Sequence, residues 1–352
     1  MPNIDQTIVV IGASAGGTEA LINVVAGLPA GCSASIFIVQ HVPAHADSHL
    51  SEILGRKTGL RVVTARDGAQ IEPGTIYCAV PDHHLLIEEG RVLVTKGPKE
   101  NRFRPAVDAL FRSAAYAYRS AVVGVVLSGA LNDGTSGLWR IKHLGGTTII
   151  QDLDDAIFDS MPRSAKQHVQ IDYELPSNEI GLMIHQLSLS AASSQSSTVA
   201  IPNDPDHEFV AFEIAVAKGK NALERGVLDF GNYSPLTCPD CHGALTEYQE
   251  GPIKRFRCHT GHAHTAESLL SGIDAGIEKS MWEAMRGMEE GKLLLEQLAV
   301  ESQGKGNDEA AEVYRSGARR FTVRSKIIKD LILGREATQT FNDLPKDAEF
   351  IK

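Results

Sequence analysis

Short runs of apolar, mostly β-branched residues recur along the first half of the chain, at Ile8 to Ile11, Ser35 to Gln40, Val122 to Leu127 and Thr147 to Gln151. Brief continuous apolar runs suit strands buried on both faces of a sheet. Helix-like segments separate them, and this alternation predicts an α/β fold with a doubly wound, mostly parallel sheet. Between the second and third runs, Gly74 to Pro81 and His84 to Val94 also look strand-like. The Glu88-Glu89-Gly90 interruption predicts a β-hairpin, expected as an antiparallel addition to the main sheet.

The hydrophobic period stops at Leu187 to Ser197 and Pro202 to Pro205, where small polar residues and prolines take over. A linker is therefore expected over 187–206, closing a first domain at 1–186. Beyond it, 207–264 carries a concentration of cysteine and histidine, and apolar residues return with helical spacing. Helices are expected at roughly Thr265 to Ser302 and Asn307 to Leu333, a helical hairpin within 265–335 followed by a tail at 336–352. Leu269, Leu270, Ile273, Ile277, Met281, Met285 and Met288 fall on one helical stripe. That stripe is expected to pack inside the hairpin, with a dimerising or partner-binding face as the alternative.

At 352 residues the chain exceeds what one core usually fills, in keeping with this division. Its 43% hydrophobic and 22% charged composition is that of an ordinary globular protein. No apolar run approaches the ~20 residues of a membrane span, and the N-terminus lacks the basic start of a signal peptide. A cytoplasmic protein without membrane insertion is expected. A formal net charge of −10 argues against a nucleic-acid partner, since phosphate binding needs clustered Lys and Arg. Of five cysteines, Cys238, Cys241 and Cys258 fall in one short stretch, which reads as metal binding before disulfides.

Ser14 sits in Gly12-Ala-Ser-Ala-Gly-Gly17, directly after the first strand and before a helix. A glycine-rich strand-to-helix turn exposes the side chain at its apex, a good place for a nucleophile. His41 follows the second strand, and Asp133 follows the third in Ser128-Gly-Ala-Leu-Asn-Asp-Gly134. Groups just past the carboxyl ends of parallel strands converge on one crevice, so a Ser-His-Asp triad can assemble there. Backbone N–H groups of the glycine-rich loops are candidates for holding an oxyanion. A nucleotide site is the rival reading of the first loop, but it lacks GxGxxG spacing, and Gln40-His41 stands where a ribose-binding acid belongs. None of the seven tyrosines has the lysine four residues on that a short-chain dehydrogenase needs.

With these residues in view, most of residues 6–186 resembles the CheB-type protein-glutamate methylesterases of bacterial chemosensory pathways. The resemblance rests on Ile11-Gly-Ala-Ser-Ala-Gly-Gly17, Val39-Gln-His-Val-Pro43, Gly74-Thr-Ile-Tyr-Cys-Ala-Val-Pro81, Arg104-Pro-Ala-Val-Asp108, Leu127-Ser-Gly-Ala-Leu-Asn-Asp-Gly134 and Met161-Pro-Arg-Ser-Ala165. It implies hydrolysis of glutamate methyl esters on chemoreceptors with release of methanol, often with glutamine deamidation, and the triad roles for Ser14, His41 and Asp133. No cofactor is implied for catalysis. The family often has Thr where Ala15 stands. It usually reads Gly-Met-Gly where this chain has Gly129-Ala130-Leu131, and the N–H at the Met position, here Ala130, helps form the oxyanion hole. Members commonly begin with a phosphorylatable receiver domain. Here the esterase comes first, so activity is expected not to respond to a phosphodonor. The alternative function is a signalling scaffold with a catalytically weakened esterase fold.

Two further features carry expectations. Arg102 and Arg104 lie in a basic segment, Lys96 to Arg104, that can face an acidic receptor helix. Cys238-Pro-Asp-Cys241 and Cys258-His-Thr-Gly-His262 form two closely spaced ligand pairs, the pattern of a tetrahedral zinc ribbon. Cys238, Cys241, Cys258 and His262 are the expected ligands of a structural zinc, with His259, His242 and His264 as alternates for the fourth. A similar segment follows the esterase in some receiver-less relatives.

Overall fold

The computed structural model of the protein describes residues 6–46, 48–193 and 206–337. Its first part runs β1 (Ile8–Ala13), α1 (Gly17–Ala26), β2 (Ser35–Gln40), α2 (Leu50–Gly55), β3 (Arg61–Thr64), β4 (Thr75–Cys78), β5 (His84–Glu88), β6 (Arg91–Thr95) and α3 (Val107–Tyr118). There follow β7 (Val122–Val126), α4 (Thr135–His143), β8 (Thr147–Gln151), α5 (Ser160–His168), β9 (Tyr173–Leu175) and α6 (Ser177–Ser193). Seven of these strands form one sheet in the order β3-β4-β2-β1-β7-β8-β9. Every pairing in it is parallel.

The period-two alternation of side chains explains how the sheet is covered. Val9, Ile11, Ile36 and Ile38 pack with Leu21, Val24 and Val25 of α1 and Ile180 and Ile184 of α6. Ile8, Val10, Phe37 and Val39 point the other way, into Leu110 and Phe111 of α3 and Leu138 and Ile141 of α4. Both faces are buried, which is why these strands read as unbroken apolar runs.

The β5–β6 hairpin turns at Glu88–Arg91 as expected, but it does not extend the main sheet and forms its own two-stranded ribbon. It lies on α3, where the Ile87 N–H donates to Ser113 Oγ at 3.0 Å and Leu86 meets Ala106 and Ala109. The linker expected over 187–206 also begins later, because α6 continues through Ser193; 194–205 lie outside the described residues.

After them come α7 (His207–Ala217) and a four-stranded antiparallel sheet of β10 (Asn232–Thr237), β11 (Ala244–Glu250), β12 (Ile253–Cys258) and β13 (Ala263–Thr265). This cysteine-bearing sheet belongs to the same compact unit as the parallel sheet, Met1–Leu270. What joins them is a fully buried ionic cluster. Arg112 of α3 pairs with Glu100 at 3.1 Å and with Glu213 of α7 at 3.2 Å. From β12, Arg255 reaches Asp108 at 2.9 Å and Glu100 at 3.1 Å, and Arg257 reaches Glu213 at 2.6 Å. Arg140 of α4 reaches Glu250 of β11 at 3.3 Å.

Burial alone would raise Glu100 and Glu250, but the surrounding arginines overturn it, and both carboxyls sit below their usual range, Glu100 well below. In the unfolded chain they bind protons near pH 4.3, so their stabilisation is complete above that value and is lost as pH falls toward the depressed folded values. Trp139 reports on this junction, because it covers Gly251 of the β11–β12 turn so closely that a Cβ there would lie 2.1 Å from its ring. In a Trp282→Phe background, Trp139 fluorescence is expected to change cooperatively below about pH 4.3. A flat signal down to about pH 3 would contradict this linkage.

A second unit, Ser271–Lys352, holds most of α8 (Ala266–Gly304) and all of α9 (Asp308–Ala337). Its helices meet along small residues: a Cβ on Gly317 would lie 2.9 Å from Leu295, one on Gly291 3.0 Å from Phe321, and Ala299, Ala311 and Ala318 are buried. The stripe from Leu269 to Met288 is covered only in part: Leu269 is 2% exposed and Ile273, Met281, Met285 and Met288 are half-buried, whereas Leu270 and Ile277 are 44% and 45% exposed. Most of the expected tail, 338–352, lies outside the described residues. No helix among the described residues is long and apolar enough to cross a membrane.

Candidate active site

In the strand order, β2, β1 and β7 are neighbours, and the direction of winding reverses between β1 and β7. Ser14 follows β1, His41 follows β2 and Asp133 lies in the loop after β7. The crevice outside the carboxyl ends of strands at such a reversal is where open parallel sheets hold ligands.

The Ser14 turn is fixed through its backbone. The Ser14 N–H donates to the Ser128 carbonyl at 2.9 Å, and its own carbonyl accepts from Gln40 Nε2 at 2.7 Å and from the Gly17 N–H at 2.9 Å. Gly16 supplies the left-handed step, φ 70°, that starts α1. The loop after β7 runs so close that a Cβ on Gly129 would lie 2.8 Å from Ser14 Cβ and 2.1 Å from Met161 Sδ, so only glycine fits there.

His41 Nε2 lies 2.8 Å from Asp133 Oδ2. Its Nδ1 is buried and has no hydrogen-bond partner among the described residues. With Nε2 protonated toward the aspartate, Nδ1 carries the lone pair, so the two ring nitrogens exchange the roles they have in the commonest serine triads. The ring is stacked on Phe103, centroids 3.7 Å apart and planes 7° from parallel. Asp133 is fully buried and surrounded by donors: Asn101 Nδ2 at 2.9 Å, the Val107 N–H at 2.7 Å and the Asp108 N–H at 3.1 Å. Burial pushes its carboxyl up, but the bond and charge of His41, then Asn101 and Val107, outweigh it and hold Asp133 below its ordinary value. It is an anion at neutral pH, able to orient the imidazole and to stabilise its protonated form.

Ser14, His41, Lys99, Arg102, Phe103 and Arg104 line one cleft of about 370 Å³. Arg104 is held by Asp82, with Nε donating at 2.9 Å, and by the Gly97 carbonyl at 2.8 Å, so its charge is already answered. Arg104 and Lys96 together hold Asp82 down to about 2. Ala130 is exposed, and its N–H has no acceptor among the described residues. Leu131 takes φ 62°, the left-handed backbone a glycine adopts freely. The leucine therefore keeps a glycine-like turn at a strain of about 1 kcal/mol. Ala15 lies between Ser14 and Gly16, and its carbonyl accepts from Ser128 Oγ at 2.8 Å.

Asn101, Phe103 and Gln40 were not singled out by their sequence context. A polar segment such as Lys99 to Arg104 reads as solvated loop, and the left-handed backbone at Asn101 (φ 50°) and Arg102 (φ 74°) leaves no periodic signal. Replacing Phe103 with Ala should lower kcat about three- to tenfold with KM little changed, the worth of one aromatic stack. Steady-state kinetics check this, and an unchanged kcat would remove the positioning role.

Downstream, Cys238, Cys241, Cys258 and His262 bring one ligand atom each to within 4.8 Å of one another, with Cys238 and Cys258 buried. Cys238 also belongs to a second grouping with Asp240 and His264, whereas the His259 ring lies against Gly243.

The family described as CheB methylesterase matches residues 9–184. A Leptospira interrogans protein is 36% identical over 180 residues, 51% of this chain and 93% of that one. A Thermotoga maritima protein named as a protein-glutamate methylesterase/protein-glutamine glutaminase is 37% identical over 183 residues, 51% of this chain but 53% of that one, so the chain spans about half its length. The crystal structure of the Thermotoga maritima CheB methylesterase catalytic domain superposes with a TM-score of 0.50 at 36% identity, covering 52% of this chain and 98% of that domain. Sheet order, crevice and sequence thus agree, and the chain belongs to the CheB methylesterase family.

Proposed function

We propose that the protein hydrolyses methyl esters on glutamate side chains of a methylated chemoreceptor or related signalling protein in the cytoplasm, releasing methanol. The observation that carries this is His41, bonded through Nε2 to the buried Asp133 anion and lining the same cleft as Ser14, with no hydrogen-bond partner for Nδ1 among the described residues.

In this reading Ser14 Oγ attacks the ester carbonyl carbon while His41 Nδ1 takes the hydroxyl proton, and Asp133 stabilises the resulting imidazolium. The carbonyl oxygen becomes an oxyanion, for which the Ala130 N–H is the available donor. Collapse breaks the bond to the methoxy oxygen, which leaves as methanol with the proton returned by His41. Water, deprotonated by the same imidazole, then attacks the acyl-enzyme and releases glutamate. An amide follows the same course with ammonia as leaving group, the second activity in the name of the Thermotoga relative. Lys99 and Arg102 at the cleft suit an acidic receptor helix.

Receptor membranes carrying labelled methyl groups provide the test. Labelled methanol is expected in the supernatant, with free glutamate appearing at the formerly methylated positions. If the native protein releases none above the rate without enzyme, the reading fails.

A further inference from the structure

Four potential ligand atoms of the cysteine-bearing sheet lie within 4.8 Å of one another, close enough to share one ion, with Thr260 Oγ1 beside three of them. Cys241 Sγ lies 3.6 Å from Cys258 Sγ, and Cys258 Sγ lies 3.6 Å from His262 Nδ1. Metal–sulfur bonds of about 2.3 Å and metal–nitrogen bonds of about 2.0 Å require edges of this length, which are far too long for disulfides. Two tight turns present the pairs. In the first, the His242 N–H donates to the Cys238 carbonyl and the Cys238 N–H to the Gly243 carbonyl, both at 2.8 Å; in the second, the Gly261 N–H donates to the Cys258 carbonyl at 2.9 Å. His242 and Gly261 supply the left-handed steps. With four protein ligands the coordination is closed, which marks the site as structural.

Where the second turn leads gives the site a consequence. His262 is followed at once by β13, and β13 grips the loop that holds Asp133. The Asn101 N–H donates to the Ala263 carbonyl at 2.7 Å, and the Ala263 N–H donates to the Lys99 carbonyl at 3.1 Å. Asn101 Oδ1 accepts from the Thr265 N–H at 3.0 Å and from Ser268 Oγ at 3.2 Å. With its oxygen so fixed, the amide must aim Nδ2 at the carboxylates, 2.9 Å from Asp133 and 2.8 Å from Asp108. Thr265 Oγ1 also donates to Asn132 Oδ1 at 2.8 Å, beside Asp133 in the chain. Asn101 and Arg102 both have left-handed backbone, a conformation that persists only where the surroundings enforce it.

We infer that Cys238, Cys241, Cys258 and His262 bind a zinc ion, and that this ion locks β13 onto Asn101 so that Asn101 positions Asp133. Zinc is the ion such a thiolate-rich, closed site selects. Its binding displaces the thiol protons to solvent and ties the two turns together. The link to turnover rests on the esterase reading above; the metal and the clamp do not.

The test uses the full chain purified without chelators. Elemental analysis is expected to find one zinc per chain. Withdrawing it with a chelator is expected to speed hydrogen exchange at Asn101, Val107 and Asp108 at least about tenfold while β1 and β2 stay protected. In the same samples kcat should fall about 10- to 100-fold with KM within about twofold, and one equivalent of zinc should restore both readouts. An Asn101→Gly variant, whose backbone tolerates φ 50°, should retain zinc yet show the same loss of kcat, now insensitive to the chelator. Native protein without zinc, or zinc withdrawal that leaves exchange at Asn101 unchanged, overturns the proposal. An Asn101→Gly variant with undiminished kcat overturns the positioning role. Should the zinc-loaded chain release no methanol, the esterase reading alone fails, because metal content and exchange are measured independently of turnover.

Discussion

Methanol release by a Ser14→Ala variant is expected to fall by roughly 10³-fold or more, with binding of methylated receptor preserved. Such a fall is attributable to chemistry, because the serine's structural bonds run through its backbone. Its N–H bonds Ser128, its carbonyl accepts from Gln40 and Gly17, and alanine keeps all three. The strand-to-helix turn and the Ala130 N–H, which has no acceptor among the described residues, also persist, so residual activity above the uncatalysed rate is expected from oxyanion stabilisation alone. A variant within about tenfold of the native protein would mean that some other group attacks the ester.

The second large effect falls on stability. Arg112→Met should destabilise the Met1–Leu270 unit by about 3–5 kcal/mol, because it leaves Glu100 and Glu213 facing each other in a buried site with one cation removed. The methionine fills much of the space, so the loss is one of charge balance and not of packing. A Glu100→Gln partner change in the same chain should recover part of the stability, since the uncompensated charge is then gone. Urea midpoints of the single and double variants measure this. A single variant within about 1 kcal/mol of the native chain would show that the cluster is not a desolvated ionic junction.

Much of the fold was legible because burial on both faces leaves a mark. β1 carries only apolar or small residues, and β2 does so as far as Val39, and their ends located Ser14 and His41. The edge strands β3 and β9 were not legible, since both are short and only partly buried and so have no apolar run. The hairpin β5–β6 announced its turn but not its destination; whether it joins the sheet or lies on α3 depends on contacts with Ala106, Ala109 and Ser113 that no local pattern encodes.

The ionic junction escaped for a different reason. Asp108 and Arg112 stand four apart on α3, and Arg255 and Arg257 two apart on β12, spacings that place each pair on one face. Such charges ordinarily mark a solvated face, and only their partners from a distant part of the chain make it an interior. Asn101 is the extreme case. It is a single amide in a basic loop, and its role emerges only when Asp133 and β13 arrive on either side of it.

The central claim is that Ser14 is the nucleophile of a working esterase, and a fluorophosphonate reagent tests it most directly. The reagent should form one adduct on Ser14, located by peptide mass spectrometry, and methanol release from methylated receptor should disappear in proportion to the fraction labelled. Stoichiometric labelling of Ser14 with methanol release undiminished would contradict the account, as would complete loss of activity with the adduct on another residue.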